Sequence, residues 1–301
     1  MSHERVRKPF SDIHRAGSRV RATLLHDPTV EGLDVALYMD GSASMEPSYG
    51  PRGILAKLGG GVENKVEPQM RWMLQYLATK DRNGLLRVAY WATGDGSELE
   101  VIGELTGEEA EQYKFPGPKY YGKGTVMLPA VRDFVRYLRG QQSKGARRGL
   151  AVFITDSQLY DAEDVKTYSE DIAEAIRTEK IPPVNLVFVG VGHEVDEEQM
   201  EEIAHEEHAG VGHLWCHRIA DEMEEMPELV AGLVDATMTV ASGGTIYDDQ
   251  GTVLKRYEAR LPAVLEFEVP ETCEAFALEI GDQRFEQPLP DHDEDEDEHH
   301  D

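Results

Sequence analysis

The stretch "LDVALYMDGSASMEP", residues 33–47, decides the fold. It begins as a nearly continuous apolar run, the pattern of a strand buried on both faces of a sheet. It then passes into Asp40, Gly41, Ser42, Ala43 and Ser44, which places small oxygen-bearing side chains at every second position. Such residues at a strand end have two uses. They cap a helix that follows, or they hold a cation.

Working outward, "LLRVAYWA" (85–92), "GLAVFIT" (149–155) and "VNLVFVGV" (184–191) repeat the same short apolar pattern, and "GHLWCHRI" (212–219) is expected to be a last strand. "LEVIGELT" (99–106) follows the second run after a short link. That link predicts a hairpin and an antiparallel edge strand. Helical patterns fill the gaps. "VEPQMRWMLQYLATK" sets Met70, Met73, Leu74 and Leu77 at helical spacing, and "TVMLPAVRDFVRYLRG" stops on a glycine. "DAEDVKTYSEDIAEAIRTEK" starts acidic and ends basic, as the helix dipole favours. "DEEQMEEIAHEEH" and "DEMEEMPELVAGLVDATMTV" complete the helices. The alternation predicts a doubly wound α/β domain over residues 28–240, with a mostly parallel sheet and helices on both faces.

The character changes after "ASGG" (241–244). "GTIYDDQGTVLKRYEA" is two β-rich runs around a turn signal, and "AVLEFEVP" and "AFALEIGDQRFEQPL" alternate with period two. Residues 241–290 are therefore expected to form a small antiparallel β module. Within the N-terminal segment, 1–27, "SRVRATLLHD" alternates weakly and is expected to add a strand to it. The tail "DHDEDEDEHHD" (291–301) is too charged and too poor in apolar residues to fold.

Composition narrows the function classes. A formal charge of −28 argues against nucleic acid, where Lys and Arg must neutralise phosphates, and against an anionic membrane surface. Basic partners and cations suit it better. The start "MSHERVRKPFSDIHRAG" has no apolar core of a secretory signal. No run reaches the roughly 18 apolar residues of a membrane span. Cys216 and Cys273 fit no CxxC pattern, so a reducing cytoplasm is the expected compartment.

Ligands of open α/β sheets bind beyond the carboxyl ends of the strands. Asp40, Ser42 and Ser44 leave the first strand there, and Asp156 leaves "AVFITD" in the same way. Thr125, in the glycine-rich loop "YYGKGT", precedes the helix "VMLPAVRDFV". The three segments are expected to converge. They offer carboxylates and hydroxyls with no nearby thiolate or imidazole, a donor set that selects Mg²⁺, Mn²⁺ or Ca²⁺.

With these residues in place the chain resembles the von Willebrand factor A (vWA) domain family and its metal-ion-dependent adhesion site (MIDAS). That signature is Asp-x-Ser-x-Ser after the first strand, a threonine in a later loop and an aspartate after the fourth strand. The matching residues here are Asp40-Gly41-Ser42-Ala43-Ser44, Thr125 and Asp156, over roughly residues 33–238. The resemblance implies that Ser42, Ser44 and Thr125 touch the metal, with Asp40 and Asp156 close by, often through water. Two positions depart from it. Ala43 stands where the family usually has glycine, and Ser157 stands where glycine often follows the second aspartate. Bacterial cytoplasmic members, associated with tellurite resistance or with MoxR-type ATPases, are nearest in character. The function implied is a metal-dependent protein-interaction module, not an enzyme. Its partner protein presents an Asp or Glu carboxylate, within a multiprotein complex or an AAA+ ATPase system. Two rivals are a Mg²⁺-dependent hydrolase and a structural subunit with an incidental metal.

Other signals are weaker. "GPKYYGKGT" (117–125) resembles a phosphate loop, but Gly124 stands where Ser or Thr should hold Mg²⁺, and the loop does not leave a strand directly. "AHEEHAGVGHLWCHR" gathers His205, His208, His213, Cys216 and His217 without a zinc spacing. No Ser-His-Asp or Cys-His constellation can be assembled at the carboxyl ends of the sheet.

Overall fold

A computed structural model of the chain describes residues 7, 9–24, 32–50, 63–192, 194–237, 239–241, 243–258 and 261–290. The acidic tail at 291–301 lies outside the described residues. In chain order the elements are β1 (Phe10–Ala16), β2 (Arg19–Leu24), β3 (Leu33–Asp40), a 3-10 turn (Glu46–Tyr49), α1 (Val66–Ala78), β4 (Leu85–Thr93), β5 (Glu98–Thr106), α2 (Gly107–Gln112), α3 (Leu128–Gln142), β6 (Arg148–Thr155), α4 (Ala162–Arg177), β7 (Val184–Val191) and α5 (Glu197–His205). They continue as β8 (Glu207–His208), β9 (Gly212–His213), β10 (Trp215–Ala220), a second 3-10 turn (Met223–Glu225), α6 (Met226–Thr237), β11 (Thr239–Ala241), β12 (Gly244–Asp248), β13 (Val253–Tyr257), β14 (Leu261–Pro262), β15 (Val264–Glu268), β16 (Ala275–Ile280) and β17 (Gln283–Pro288). The chain divides into two compact units, residues 27–234 and residues 1–26 with 235–301. Among the described residues no helix is long and apolar enough to cross a membrane.

The larger unit is mixed α/β. Its six-stranded sheet has the order β10-β7-β6-β3-β4-β5. Every neighbouring pair is parallel except β4 with β5, the antiparallel edge that the short link predicted. This arrangement is consistent with a vWA-like fold. All eight residues of β3 are buried. Ala36 and Tyr38 of β3, Trp91 of β4, Phe153 of β6 and Phe188 of β7 share one core cluster with Phe134 of α3, Ile172 of α4 and Ile203 of α5. The alternate residues Val35, Leu37 and Met39 are buried as well. Burial of both parities is what makes the run continuous in sequence instead of alternating. The register places Asp40 beside Trp91 and Met39 beside Ile154, so the carboxyl ends of β3, β4 and β6 finish together.

The smaller unit is all β. β1-β2-β15 and β13-β12-β16-β17 are separate antiparallel sheets, and β11 pairs with β14. The period-two strands put Val20, Ala22 and Leu24 of β2 into one cluster with Leu265, Phe267, Phe276 and Leu278. Phe276 meets Phe10 and Phe267 at ring-centroid distances of 5.1 and 4.9 Å. Truncating Phe276 to alanine is expected to cost about 3–5 kcal/mol, read as a lower chemical-denaturation midpoint for this unit.

Several elements differ from the sequence expectation. The helix expected to stop on Gly140 runs on to Gln142, and the one expected through His208 ends at His205. "GHLWCHRI" is not one strand. Gly212 and His213 pair antiparallel with β8, and only Trp215–Ala220 joins the main sheet. The two pieces separate at Leu214, whose carbonyl accepts from Leu186 N–H at 2.8 Å. The last helix, expected through residue 240, ends at Thr237, and Thr239–Ala241 is the strand β11. The β-branched Thr239 and Val240 suit that strand.

Candidate functional site

The backbone of the site is built at the carboxyl ends of β3, β4 and β6. The Gly41 N–H donates to the Trp91 carbonyl at 2.8 Å as β3 ends. The loop before α3 is then fastened alongside. Gly122 N–H donates to Gly41 O at 3.0 Å, and Ala43 N–H donates to Gly122 O at 2.9 Å. Gly94 N–H and Val126 N–H bind the same loop to the β4–β5 turn, through Tyr120 O at 3.0 Å and Gly96 O at 3.1 Å. A side chain at position 122 has no room, because a Cβ there would lie 1.9 Å from the Ala92 carbonyl oxygen. From the third side, Tyr160 N–H donates to Thr125 O at 2.9 Å. Asp161 accepts from Met127 N–H at 2.9 Å and from Leu128 N–H at 2.8 Å.

This arrangement answers whether the small oxygen residues cap helices. The 3-10 turn after β3 follows Met45 and has no side-chain cap. α3 follows Met127, and its first amides are taken by Asp161 instead of Thr125. Neither Asp-x-Ser-x-Ser nor Thr125 spends its oxygens on a helix start.

The oxygens are spent on one another. Asp40 is fully buried. Its Oδ1 accepts from Ser42 N–H at 2.6 Å, and its Oδ2 accepts from the Thr155 hydroxyl. The Tyr49 hydroxyl donates to the Asp40 carbonyl at 2.7 Å. Ser42 Oγ lies 2.9 Å from Ser44 Oγ. Ser44 Oγ lies 2.7 Å from both Asp156 Oδ1 and Ser157 Oγ. Ser157 Oγ also lies 2.8 Å from Asp156 Oδ1. Three serine hydroxyls bring three protons to these four contacts. One pair of lone-pair-bearing oxygens is therefore held close without a proton of its own. That gap is one that a further proton or a cation would fill.

The electrostatics agree. Burial pushes Asp40 up to about 7, against the hydrogen bonds from Thr155 and Ser42 that favour its ionised form. Burial also raises Asp156, against hydrogen bonds from Ser44 and Ser157. Among the described residues neither carboxylate has a Lys or Arg partner. The donor set of two carboxylates and several hydroxyls fits a hard divalent cation.

A pH dependence follows. A carboxyl whose folded value is raised contributes stability below its unfolded value of about 4, and loses it as pH rises through about 7. A divalent cation replaces the proton. The Mg²⁺-induced rise in melting midpoint is therefore expected to grow from about pH 5.5 to about pH 8. Asp81 is also raised, to about 6, so the wild type keeps a second source of pH dependence. The informative quantity is the difference between wild type and Asp40→Asn, by scanning fluorimetry over both pH and Mg²⁺.

Of the residues expected from sequence, Asp40, Ser42, Ser44 and Asp156 form one hydrogen-bonded network. Thr125 is buried and held by its carbonyl, and its hydroxyl joins no bond of that network among the described residues. Thr155, Ser157, Tyr49 and Asp161 were not assigned roles from sequence. The first two were open to recognition as hydroxyls flanking Asp156 in "ITDS". Among the described residues no group of three or more His, Cys, Asp or Glu is placed to hold a metal, the His205–His217 segment included.

No protein-family model matches the chain, and no curated protein matches it. Solved structures resemble it at low identity. The manganese-loaded TRAP protein of Plasmodium vivax is 16% identical, with 85% of this chain and 81% of that chain covered and a TM-score of 0.44. The pilus adhesin SpaC from Lactobacillus rhamnosus GG, in its open conformation, is 10% identical, with 94% and 46% covered and a TM-score of 0.45. The PilB minor pilin from Streptococcus sanguinis is 12% identical, with 70% and 62% covered and a TM-score of 0.43.

Proposed function

We propose that this chain is a protein-interaction module that engages its partner through a divalent cation. Asp40, Ser42, Ser44, Thr125 and Asp156 would hold Mg²⁺, or Mn²⁺ or Ca²⁺, in the manner of a MIDAS. When bound, the cation supplies a concentrated positive charge that attracts an Asp or Glu carboxylate of the partner. The chain's own residues do the rest. Thr155 and the Ser42 amide orient Asp40, and Asp161 and Gly122 hold the Thr125 loop in place. The observation that carries this reading is the oxygen cluster, whose four short contacts are served by three hydroxyl protons. Tyr120 and Tyr160, on the loops that frame the cluster, are 65% and 73% exposed, and exposed tyrosines suit a protein partner. A cytoplasmic bacterial setting, with the partner in a multiprotein complex or an AAA+ ATPase system, belongs to the same proposal.

The test is capture of partners by the purified chain with and without EDTA, with Asp40→Asn as the control. Proteins lost with EDTA should also be absent from the variant capture. Identical capture under all conditions would remove the cation from the interaction. In the same reading the cation serves binding alone. Purified protein with Mg²⁺ is thus expected to turn over no phosphate ester, nucleotide or peptide. Turnover that disappears in Asp40→Asn would make the site a hydrolase.

A further inference from the structure

We infer that Ser157 is itself a cation donor, added to the five residues named above. This inference rests on the proposed cation site. Ser44 Oγ, Asp156 Oδ1 and Ser157 Oγ form a triangle with edges of 2.7, 2.7 and 2.8 Å. Two protons serve its three edges, since only the two serines bring one. Hydrogen bonding therefore does not account for the whole triangle. Three oxygens so arranged are one face of an octahedron. For metal–oxygen distances of about 2.0–2.1 Å, as with Mg²⁺, adjacent oxygens lie about 2.8–3.0 Å apart. For about 2.3–2.6 Å, as with Ca²⁺, they lie about 3.3–3.7 Å apart. The observed edges, which are also ordinary O–H···O lengths, lie nearer the Mg²⁺ face than the Ca²⁺ face.

The serine is also held in place. Its N–H donates to Thr155 Oγ1 at 3.2 Å, and Thr155 in turn binds Asp40. Ser157 is thus tied to both carboxylates, to one through its hydroxyl and to the other through its backbone. Glycine at this position would leave the triangle with two corners. Ser157 is half-buried, so its hydroxyl is within reach of a cation arriving from solvent. The consequence is a site that prefers Mg²⁺ and Mn²⁺ over Ca²⁺.

Thiol substitution separates a donor from a residue that merely positions Asp156. Free Mn²⁺ is followed by electron paramagnetic resonance in titrations of wild type, Ser157→Ala, Ser157→Cys and Ser143→Cys. Mg²⁺, Ca²⁺ and Cd²⁺ serve as competitors, and the metal-free melting midpoint checks folding. Ser143 is exposed at the end of α3 and controls for a stray thiol. Mg²⁺ is expected to displace Mn²⁺ from wild type at lower concentration than Ca²⁺. Ser157→Ala is expected to weaken Mn²⁺ binding about tenfold. Ser157→Cys, nearly isosteric, should bind Mg²⁺ more weakly and compete with Cd²⁺ at least about tenfold better than Ser143→Cys, because a thiolate at the metal favours a soft ion. Equal Cd²⁺ competition in the two cysteine variants would reduce Ser157 to a positioning residue and overturn the inference. So would Mn²⁺ binding by Ser157→Ala that equals wild type. If wild type itself binds neither Mn²⁺ nor Mg²⁺, the cation site fails first and this inference with it.

Discussion

Replacing Gly122 with alanine is expected to destabilise the larger unit by more than about 3 kcal/mol and to abolish its response to Mg²⁺. The added Cβ would lie 1.9 Å from the Ala92 carbonyl oxygen and 3.0 Å from Gly96 Cα. Both are backbone, so neither can swing aside as a side-chain tip would. Relief requires the loop to lift. Lifting it breaks the bonds from Gly122 N–H to Gly41 O and from Ala43 N–H to Gly122 O. Those bonds hold the loop that carries Thr125 against the Asp40–Ser44 segment, so stability and cation binding should fall together. Gly140→Ala is the matched control. It lies inside α3, and a Cβ there meets nothing within 4 Å. That change is expected to be neutral or stabilising by up to about 1 kcal/mol. Scanning fluorimetry of the three proteins with and without Mg²⁺ is sufficient. A Gly122→Ala protein that melts and responds like wild type would show that the loop is not held as described.

Asp40→Asn is expected to remove the Mg²⁺ response while leaving the metal-free protein folded. Asparagine keeps a carbonyl oxygen for the Ser42 amide and loses the charge. Because burial raises Asp40 to about 7, the neutral variant should be as stable as wild type, or more so, above that pH without metal. Asp40→Ala is the harsher change. It leaves the Ser42 N–H and the Thr155 hydroxyl without their acceptor, at about 1–3 kcal/mol each where they stay buried. Cation affinity should fall at least about a hundredfold in either variant, because a buried charge at the site is lost. Thr125→Ala removes a neutral donor and should weaken binding less. Equal responses of wild type and Asp40→Asn to Mg²⁺ and Mn²⁺, by calorimetry or fluorimetry, would end the metal-site reading.

The strands that carry the site were legible because burial on both faces writes itself as unbroken apolar sequence. β3 is the clearest case, with all eight residues buried. The meeting of Asp40, Ser42, Ser44 and Asp156 followed from their places at strand ends. Asp161 was not legible, for a definite reason. It stands immediately before α4, where a cap for that helix is expected, yet it makes no cap bond there. Its carboxylate crosses to the first amides of α3 instead. Sequence spacing shows which helix a residue precedes, not which helix it serves. Thr155 was only half legible. Its hydroxyl beside Asp156 could be read from "ITDS", but its bond across to Asp40 could not, because a threonine at a strand end needs no explanation beyond β-propensity. The division of "GHLWCHRI" falls at Leu214, an apolar residue that reads like its strand neighbours, so the sequence carries no mark of it.

The pairing of β2 with β15 sets an order on biosynthesis. Thr23 lies opposite Val264, and Arg19 lies opposite Glu268. At about 5–20 residues per second, the ribosome makes the second partner on the order of ten seconds to a minute after the first. Throughout that interval β1 and β2 have only each other, and an isolated two-stranded hairpin is marginal in water. Val20, Ala22 and Leu24 must wait for the apolar side chains of β15 and β16 that will cover them. The larger unit carries its own core between these two events and can fold first. β1 and β2 are thus made well before β15, and they are among the last strands to find their place.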